Sequence, residues 1–537
     1  MLTIGRSRRV KCDEVKPSCD RCTKAGLNCK GYASEISKPA REFRFIPSYS
    51  IPFKVPGSQA DRQLLHYYSC EAAWDLSSYA DPALWTNLLL QRGHDEPVIR
   101  HALVALSSLH KDFVLGKLSN SVQDKFVPSI ETLTMISGCH RKLTNYLSQS
   151  TASNDVALAC SLVFYAFEAL IGDQKRAIWH LDQGLSLLKQ TETQVDGSNL
   201  DALYSHMAAL YKRLDVQASV YDPWRIPLLR IAAGNATLEA RALVPHVLAN
   251  LAHAEDVLLY LQNWVLHHLI SNVEHKGKPL VEIPQATLRE KTLLLQYLRS
   301  YGSALDHLCD TLRQESSGAS TTRSQAEKKG QRAQRLLLLQ MDFLSFQYLV
   351  KESVPSWVDG QSGLDNDLDR VLLHIEALLA MPDVQTSDSG RDTPLAGPRK
   401  RTYTLSTNMV ALLYYVSMKT SRHKTLVKAG ELFSHPSMAN ARDGVWDAQT
   451  AAFVVRQMID KRDQDTRTSA TKTWNPDSNP KPAPKGCHNH GQQQNFSTRL
   501  NPDTLEAFGT GLVDAQGGVE EAATLLSNWM DSMNIGT

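Results

Sequence analysis

From Asp61 into the 460s, apolar residues recur at helical spacing and almost nowhere alternate at the two-residue spacing of a strand. Val98, Ala102, Leu106, Leu109 and Phe113 fall on one stripe, with Arg100 and Lys111 off it. Residues 154–190 read as a helical hairpin. Its first arm, DVALACSLVFYAFEALI, is apolar nearly all round, which predicts a buried helix. GDQ turns the chain, Asp173 stands where it can cap the second arm, and Ile178, Leu181, Leu185 and Leu188 line that arm's inner face. The same periodicity predicts helices near 200–215, 238–271, 286–314, 325–351, 366–380 and 404–433. The expectation is an all-α body over residues 61–463, with no fixed-period repeat.

The pattern breaks in four places. Residues 33–60 carry Pro39, Pro47, Pro52 and Pro56 without a helical period and read as a linker. Residues 382–400 and 464–500 are rich in Pro, Ser, Thr, Asn and Gln. They are expected to be a disordered insertion and a disordered linker, because they hold too little apolar surface to offset the entropy of ordering. The tail, 501–537, contains Asp503, Glu506, Asp514, Glu520, Glu521 and Asp531 and no Lys or Arg, with Leu525, Leu526 and Trp529 forming an apolar face. It suits an acidic activation segment and a terminal helix docked on the body equally well.

Charge changes the picture at one end. The net charge is only +2, but residues 1–31 hold eight Lys/Arg against three Asp/Glu. A basic head on a nearly neutral body points to a polyanion partner for the head alone. That head lacks the apolar core of a signal peptide, and no stretch of 18 apolar residues predicts a membrane span. An intracellular protein with reduced thiols is expected, so clustered cysteines read as metal ligands before disulfides.

Four of the nine cysteines do cluster. Cys12, Cys19, Cys22 and Cys29 are spaced C-x6-C-x2-C-x6-C behind the basic run RSRRVK. Thiolates suit a zinc ion, and a C-x2-C pair can grip one from a tight turn. A segment this short has no core to fold around, so metal binding and ordering become one equilibrium. The other readings are incidental or redox cysteines in a disordered head, and a basic run serving nuclear import.

This stretch resembles the fungal binuclear zinc-cluster transcription factors, whose pattern is C-x2-C-x6-C, a short loop, then C-x2-C-x6-C. Residues 12–29 match the last four of those six cysteines, Pro17 falls in the loop, and RSRRVK matches the basic run between the second and third cysteines. The register places the first two cysteines at Leu2 and Gly5, which cannot ligate. The resemblance implies two zinc ions in an intact cluster, with Cys19 as a bridge. As written, both sites lack ligands, and wrapping all four thiolates around one zinc is the other arrangement. A start codon placed too far downstream accounts for the foreign MLTI and the ungapped match that follows it.

By the same resemblance the head, 1–32, docks a short helix in the major groove of double-stranded DNA and reads CGG-type sites. Arg8 and Arg9 would face bases, Arg6 and Lys11 would contact phosphate, and Lys16, Arg21, Lys24 and Lys30 would add electrostatic grip. Residues 61–113 resemble the start of the all-helical fungus-specific regulatory domain, which implies regulation through transcription coregulators, homodimerisation or a small-molecule effector. No P-loop, H-E-x-x-H or G-x-S-x-G motif is present. The groups His94, Asp95, His101 and His110, and His267, His268 and His275, read as helix-surface or core histidines, and Cys487, His488 and His490 lack further ligands. The expectation is a nuclear, non-enzymatic, zinc-dependent regulator of RNA polymerase II transcription that makes no membrane contact. A co-regulator that does not bind DNA and acts through the helical domain is the first alternative, and an α-helical enzyme the second.

Overall fold

The helical body begins at a capping box. Ser58 Oγ accepts from the Asp61 amide at 3.1 Å, and Asp61 Oδ2 accepts from the Ser58 amide at 2.9 Å, satisfying donors that a helix start leaves bare. The computed structural model describes residues 23–24, 26, 56–77, 82–116, 126–149, 152–194, 202–222, 225–229, 244–317, 323–354, 364–381 and 401–473. The chain divides into two units, Met1–Ser50 and Ile51–Thr537, and the elements that follow belong to the second.

The first layer holds α1 (Gln59–Tyr67), α2 (Ala73–Ser77), α3 (Leu89–Asp95), α4 (Pro97–Leu115), α5 (Ile130–Leu147), α6 (Asn154–Ile171), α7 (Gln174–Gln194) and α8 (Ala202–Tyr221). Five-residue π turns at Tyr68–Ala72 and Leu84–Leu88 let Tyr68 reach inward, where its hydroxyl donates to the Trp85 carbonyl at 3.1 Å. Helix α6 packs along α7 and also meets α4, α5 and α8. Val156, Leu158, Val163, Phe167 and Leu170 are all buried, as its apolar sequence predicts. By length and composition α6 is apolar enough to cross a membrane, which the sequence reading did not register, but 72% of it is buried inside the protein.

The turn between α6 and α7 is built as expected. Gly172 takes φ +94°, a left-handed helix end that glycine adopts without strain. Asp173 Oδ1 then accepts from the Arg176 amide at 3.0 Å and caps α7. Leu181, Leu185 and Leu188 are buried on the face that α7 turns inward. Arg100 departs from the expectation: it is buried, and Nη1 donates to the carbonyls of Gly93 at 3.0 Å and His94 at 2.9 Å. A guanidinium there satisfies the carbonyls at the C-terminus of α3 and sits at the negative end of its dipole.

The second layer comprises α9 (Leu251–Ser271), α10 (Gln285–Ser317), α11 (Arg323–Ser353), α12 (Leu364–Leu379), α13 (Met409–Lys419), α14 (His423–Phe433) and α15 (Ala448–Thr473). One continuous core of Leu261, Val265, Leu298, Tyr301, Met341, Phe346, Ile375, Val416 and Val455 joins them. Lys291, buried to 1% exposure, donates its ammonium protons to the carbonyls of Lys351 (3.0 Å) and Val354, closing the C-terminus of α11.

Three expectations need correcting. Of the helix expected over 238–271, residues 238–243 lie outside the described residues, and the helix described begins at Leu251, six residues past Pro245, where Asn250 Oδ1 accepts from the His253 amide at 2.9 Å. The helix expected over 404–433 is two helices preceded by a strand. That strand, β1 (Thr402–Thr404), pairs in parallel with β2 (Ala441–Asp443), which returns antiparallel to β3 (Trp446–Asp447) across Gly444 at φ +56°. Strands of two and three residues carry no readable alternation. Helix α15 continues ten residues into the 464–500 stretch expected to be disordered, because QDTRTSATKT contains no Pro or Gly and Pro476 is the first breaker. Residues 382–400, 474–500 and the tail lie outside the described residues.

Helices α7 and α8 meet at Gly184, where an added Cβ would run into the hydroxyl and ring of Tyr211. Tyr211 cannot yield, since it is fully buried and its hydroxyl donates to the Leu158 carbonyl at 2.8 Å. Gly184→Ala is therefore expected to destabilise the chain by about 1–3 kcal/mol through overpacking. Urea unfolding of the full chain, with the exposed neighbour Gln183→Ala varied in parallel, checks this; equal midpoints for both variants would contradict it.

Candidate nucleic-acid interface and titratable clusters

Cys12, Cys19, Cys22 and Cys29, with Arg6, Arg8, Arg9, Lys11, Lys16, Arg21 and Lys30, lie outside the described residues. Described in this unit are helical backbone at Thr23–Lys24 and a turn at Gly26, whose amide donates to the Thr23 carbonyl at 3.2 Å. Gly26 has φ +63° with open space where a Cβ would stand, a conformation that ends a helical turn without strain. Lys24 is exposed, two residues beyond Cys22 in the sequence.

In the second unit the histidines singled out by sequence do not converge. His110 is fully buried, with Nε2 3.0 Å from Asp75 Oδ2 and Nδ1 3.0 Å from the Tyr67 hydroxyl. His101 lies against the Pro97 carbonyl of its own helix, and His94 is exposed. His268 Nδ1 is 2.8 Å from Glu290 Oε2, and the Trp264 indole donates to Oε1 of the same carboxylate at 2.9 Å. His275 pairs with Glu274 at 3.5 Å. These are core and helix-surface histidines. The Cys139 and Cys160 thiols are pushed up to about 11 and about 12 by burial, which keeps both protonated.

One cluster was not read from the sequence. His140 of α5, Glu168 of α6 and His180 of α7 bring one potential ligand atom each within 4.8 Å of one another. The imidazoles of His140 and His180 stack at 5.6 Å, Phe164 lies against both, and Trp179 meets His180 edge-on at 4.9 Å. Burial, aided by Asp173 and opposed by Arg176, pushes Glu168 up to about 7. Burial, then His140 and Arg176, pull His180 down to about 4. The sole sequence signal was a lone carboxylate inside an otherwise apolar arm.

Residues 6–39 match the family described as the fungal Zn(2)-Cys(6) binuclear cluster domain. The head of the chain is thus similar to the zinc-cluster domain over that stretch. The chain is 27% identical over 228 residues to the transcription regulator lscL of Purpureocillium lilacinum, covering 37% of this chain and 52% of that protein. It is 22% identical over 320 residues to the aspercryptin biosynthesis cluster-specific transcription regulator atnN of Emericella nidulans, covering 54% of this chain and 50% of that one. An uncharacterized transcriptional regulatory protein of Schizosaccharomyces pombe is 31% identical over 123 residues, 19% of this chain and 22% of its own. The chain thus spans about half the length of the first two of these relatives. No solved structure matches it.

The zinc-cluster match covers all four clustered cysteines and starts past Leu2 and Gly5. The donor set fits zinc in kind, since four thiols at these spacings are what a soft-leaning tetrahedral ion takes. It supplies four of the six thiolates of a binuclear cluster.

A further titratable group ties two helices of the second layer. Asp342 accepts from the Asn408 side chain at 3.2 Å, and Asn408 holds the left-handed φ of +61° that starts α13. Burial pushes the Asp342 carboxyl up to about 6, against the pull of Asn408, Arg213 and Gln262. Its folded pKa exceeds the unfolded carboxylate value near 4, so the folded chain holds the extra proton between those values. The stability it contributes is complete below about pH 4 and is lost as pH rises through about 6. Asp342→Asn removes this dependence. Relative to wild type, the variant is expected to be more stable at pH 7 than at pH 4.5, and an unchanged difference in urea titrations at the two values would refute this.

Proposed function

We propose that this chain is a sequence-specific, zinc-dependent DNA-binding regulator of RNA polymerase II transcription that acts in the nucleus. The observation that carries the reading is the zinc-cluster match over residues 6–39, which sets four zinc-binding thiols directly behind a run of arginines. The likeness to proteins named as transcription regulators supports it. Zinc would be held by Cys12, Cys19, Cys22 and Cys29 and would supply the order that a coreless segment lacks. Arg8 and Arg9 carry N–H donors suited to guanine O6 and N7 in CGG-type triplets. Arg6 and Lys11 neutralise phosphates, and Lys16, Arg21, Lys24 and Lys30 add sequence-independent attraction. The helical body acts without chemistry of its own, through coregulators, a second copy or a small effector.

Leu2 and Gly5, which carry no donor atoms, favour a second reading: a co-regulator that works through the body without direct DNA reading. DNA affinity of the full chain separates the two.

Mobility shifts with CGG-containing and scrambled duplexes test the proposal. Arg9→Ala is expected to lose about 1–3 kcal/mol on the CGG duplex and little on the scrambled one. Lys24→Ala should weaken both alike and lower the salt slope by about 1. Cys22→Ser, or a zinc chelator, should abolish CGG preference. Binding that persists undiminished with the chelator would overturn the zinc dependence, and equal losses for both variants on both duplexes would overturn the assignment of Arg9. Absence of any DNA affinity in zinc-loaded wild type favours the co-regulator.

A further inference from the structure

Three consecutive helices of the body converge on one small group of nitrogen and oxygen donors. His140 is contributed by α5, Glu168 by α6 and His180 by α7, and one donor atom from each lies within 4.8 Å of the others. A zinc ion bound tetrahedrally at about 2.0–2.1 Å sets its ligand atoms about 3.4 Å apart. The three donors therefore need only small side-chain adjustments to surround an ion, and His140 and His180 are partly exposed. Glu168, by contrast, is 6% exposed. Its position is set by a helix buried on nearly every side.

We propose that His140, Glu168 and His180 form a divalent-cation site for zinc, with the fourth tetrahedral position left to water or an exogenous donor. Two imidazoles and one carboxylate are a donor set that zinc takes with an open position, and they are too nitrogen-rich for magnesium or calcium. The charges around the cluster fit. Two neutral imidazoles are held neutral by their surroundings, as ligation requires. The Glu168 carboxyl gives its remaining proton to solvent as the ion arrives, and the ion replaces the counter-charge that burial denies it. Asp173 adds negative charge beside Glu168. Arg176 is the facing cation, but its side chain is 72% exposed and engages Asp173 at 3.4 Å, so its repulsion is screened.

The site has a mechanical consequence. Helix α5 buries only Thr132, Ile136 and Cys139. Its start is held by polar bonds to α4, through Thr132 Oγ1 to Asp112 Oδ2 at 2.7 Å and Ser108 to Thr132 at 2.6 Å. A metal at His140 fixes its second half to the α6–α7 hairpin. Occupancy would then regulate how firmly α5, with its exposed Ile130, Leu133 and Leu147, is held to the body.

The test uses the full chain stripped by a chelator and then titrated with Zn2+ or Co2+ alone, with metal per chain read after dialysis. A variant with Cys12, Cys19, Cys22 and Cys29 all changed to Ser leaves the body untouched. It is expected to retain about one zinc per chain, and its Co2+ form to show d–d absorption without the thiolate charge-transfer band. Adding His180→Ala or Glu168→Gln should lower zinc affinity at least tenfold. Zinc should raise the unfolding temperature of the four-serine chain and not that of its His180→Ala derivative. Failure of the four-serine chain to take up zinc overturns the proposal, as does uptake unaffected by His180→Ala and Glu168→Gln. Neither outcome depends on DNA binding by the head.

Discussion

Helix α6 must be enclosed on nearly every side, and the first layer of the body is arranged to enclose it. Its sequence offers no polar face to water, so exposure would leave side chains each worth about 1.5–3 kcal/mol unburied. Helix α7 covers it by returning directly across the Gly172–Asp173 turn. Helix α8 covers it where Gly184 lets Tyr211 slide under α7 and donate to the Leu158 carbonyl. Helix α4 is buried nearly all round because it too lies against α6. Several polar atoms drawn in with these helices find partners: Ser161 donates to the His180 carbonyl at 2.6 Å, and Asp215 meets the Arg225 guanidinium at 2.7 Å while accepting the amides of Leu228 and Leu229.

How much of this could be read from the sequence follows from which signals are local. The α6–α7 hairpin was legible, because an apolar arm, a glycine, a capping aspartate and a leucine stripe sit within forty consecutive residues. Arg100 was misplaced because periodicity reports the average face of a helix. It does not report that one arginine turns inward to meet the carbonyls of Gly93 and His94. The sheet was invisible for the opposite reason. Thr402–Thr404 and Ala441–Asp443 are short, and the pairing that makes them strands joins residues thirty-nine apart. The zinc-cluster thiols were legible as a motif, since their spacing is itself the local signal. His140, Glu168 and His180 were not, because what unites them is the packing of three helices and no spacing along the chain.

The two donor clusters face opposite physical problems. The head has cationic side chains and thiols but too few apolar residues for a core, so an ion there is the nucleus around which order forms. The body has its core already, and the second layer alone joins seven helices through contiguous Leu, Val, Phe and Tyr side chains. An ion at Glu168 is therefore not what the body needs in order to fold, although its binding would stabilise the folded chain. It acts on a helix of the first layer that buries little of its own surface.

That difference decides what each ion can regulate. On the proposed reading, removing zinc from the head would take away the order that lets Arg8 and Arg9 read bases, an all-or-none response. Removing it from His140, Glu168 and His180 leaves two neutral imidazoles and a carboxyl that burial has already pushed toward its protonated form. The cluster then relaxes with that carboxyl partly protonated near neutral pH, which lessens the charge left buried, and the helix it held is loosened with its neighbours intact. A site that tolerates its own vacancy is suited to graded control, and a thiolate head that does not is suited to commitment. The chain places the first in the packed body and the second in the basic segment.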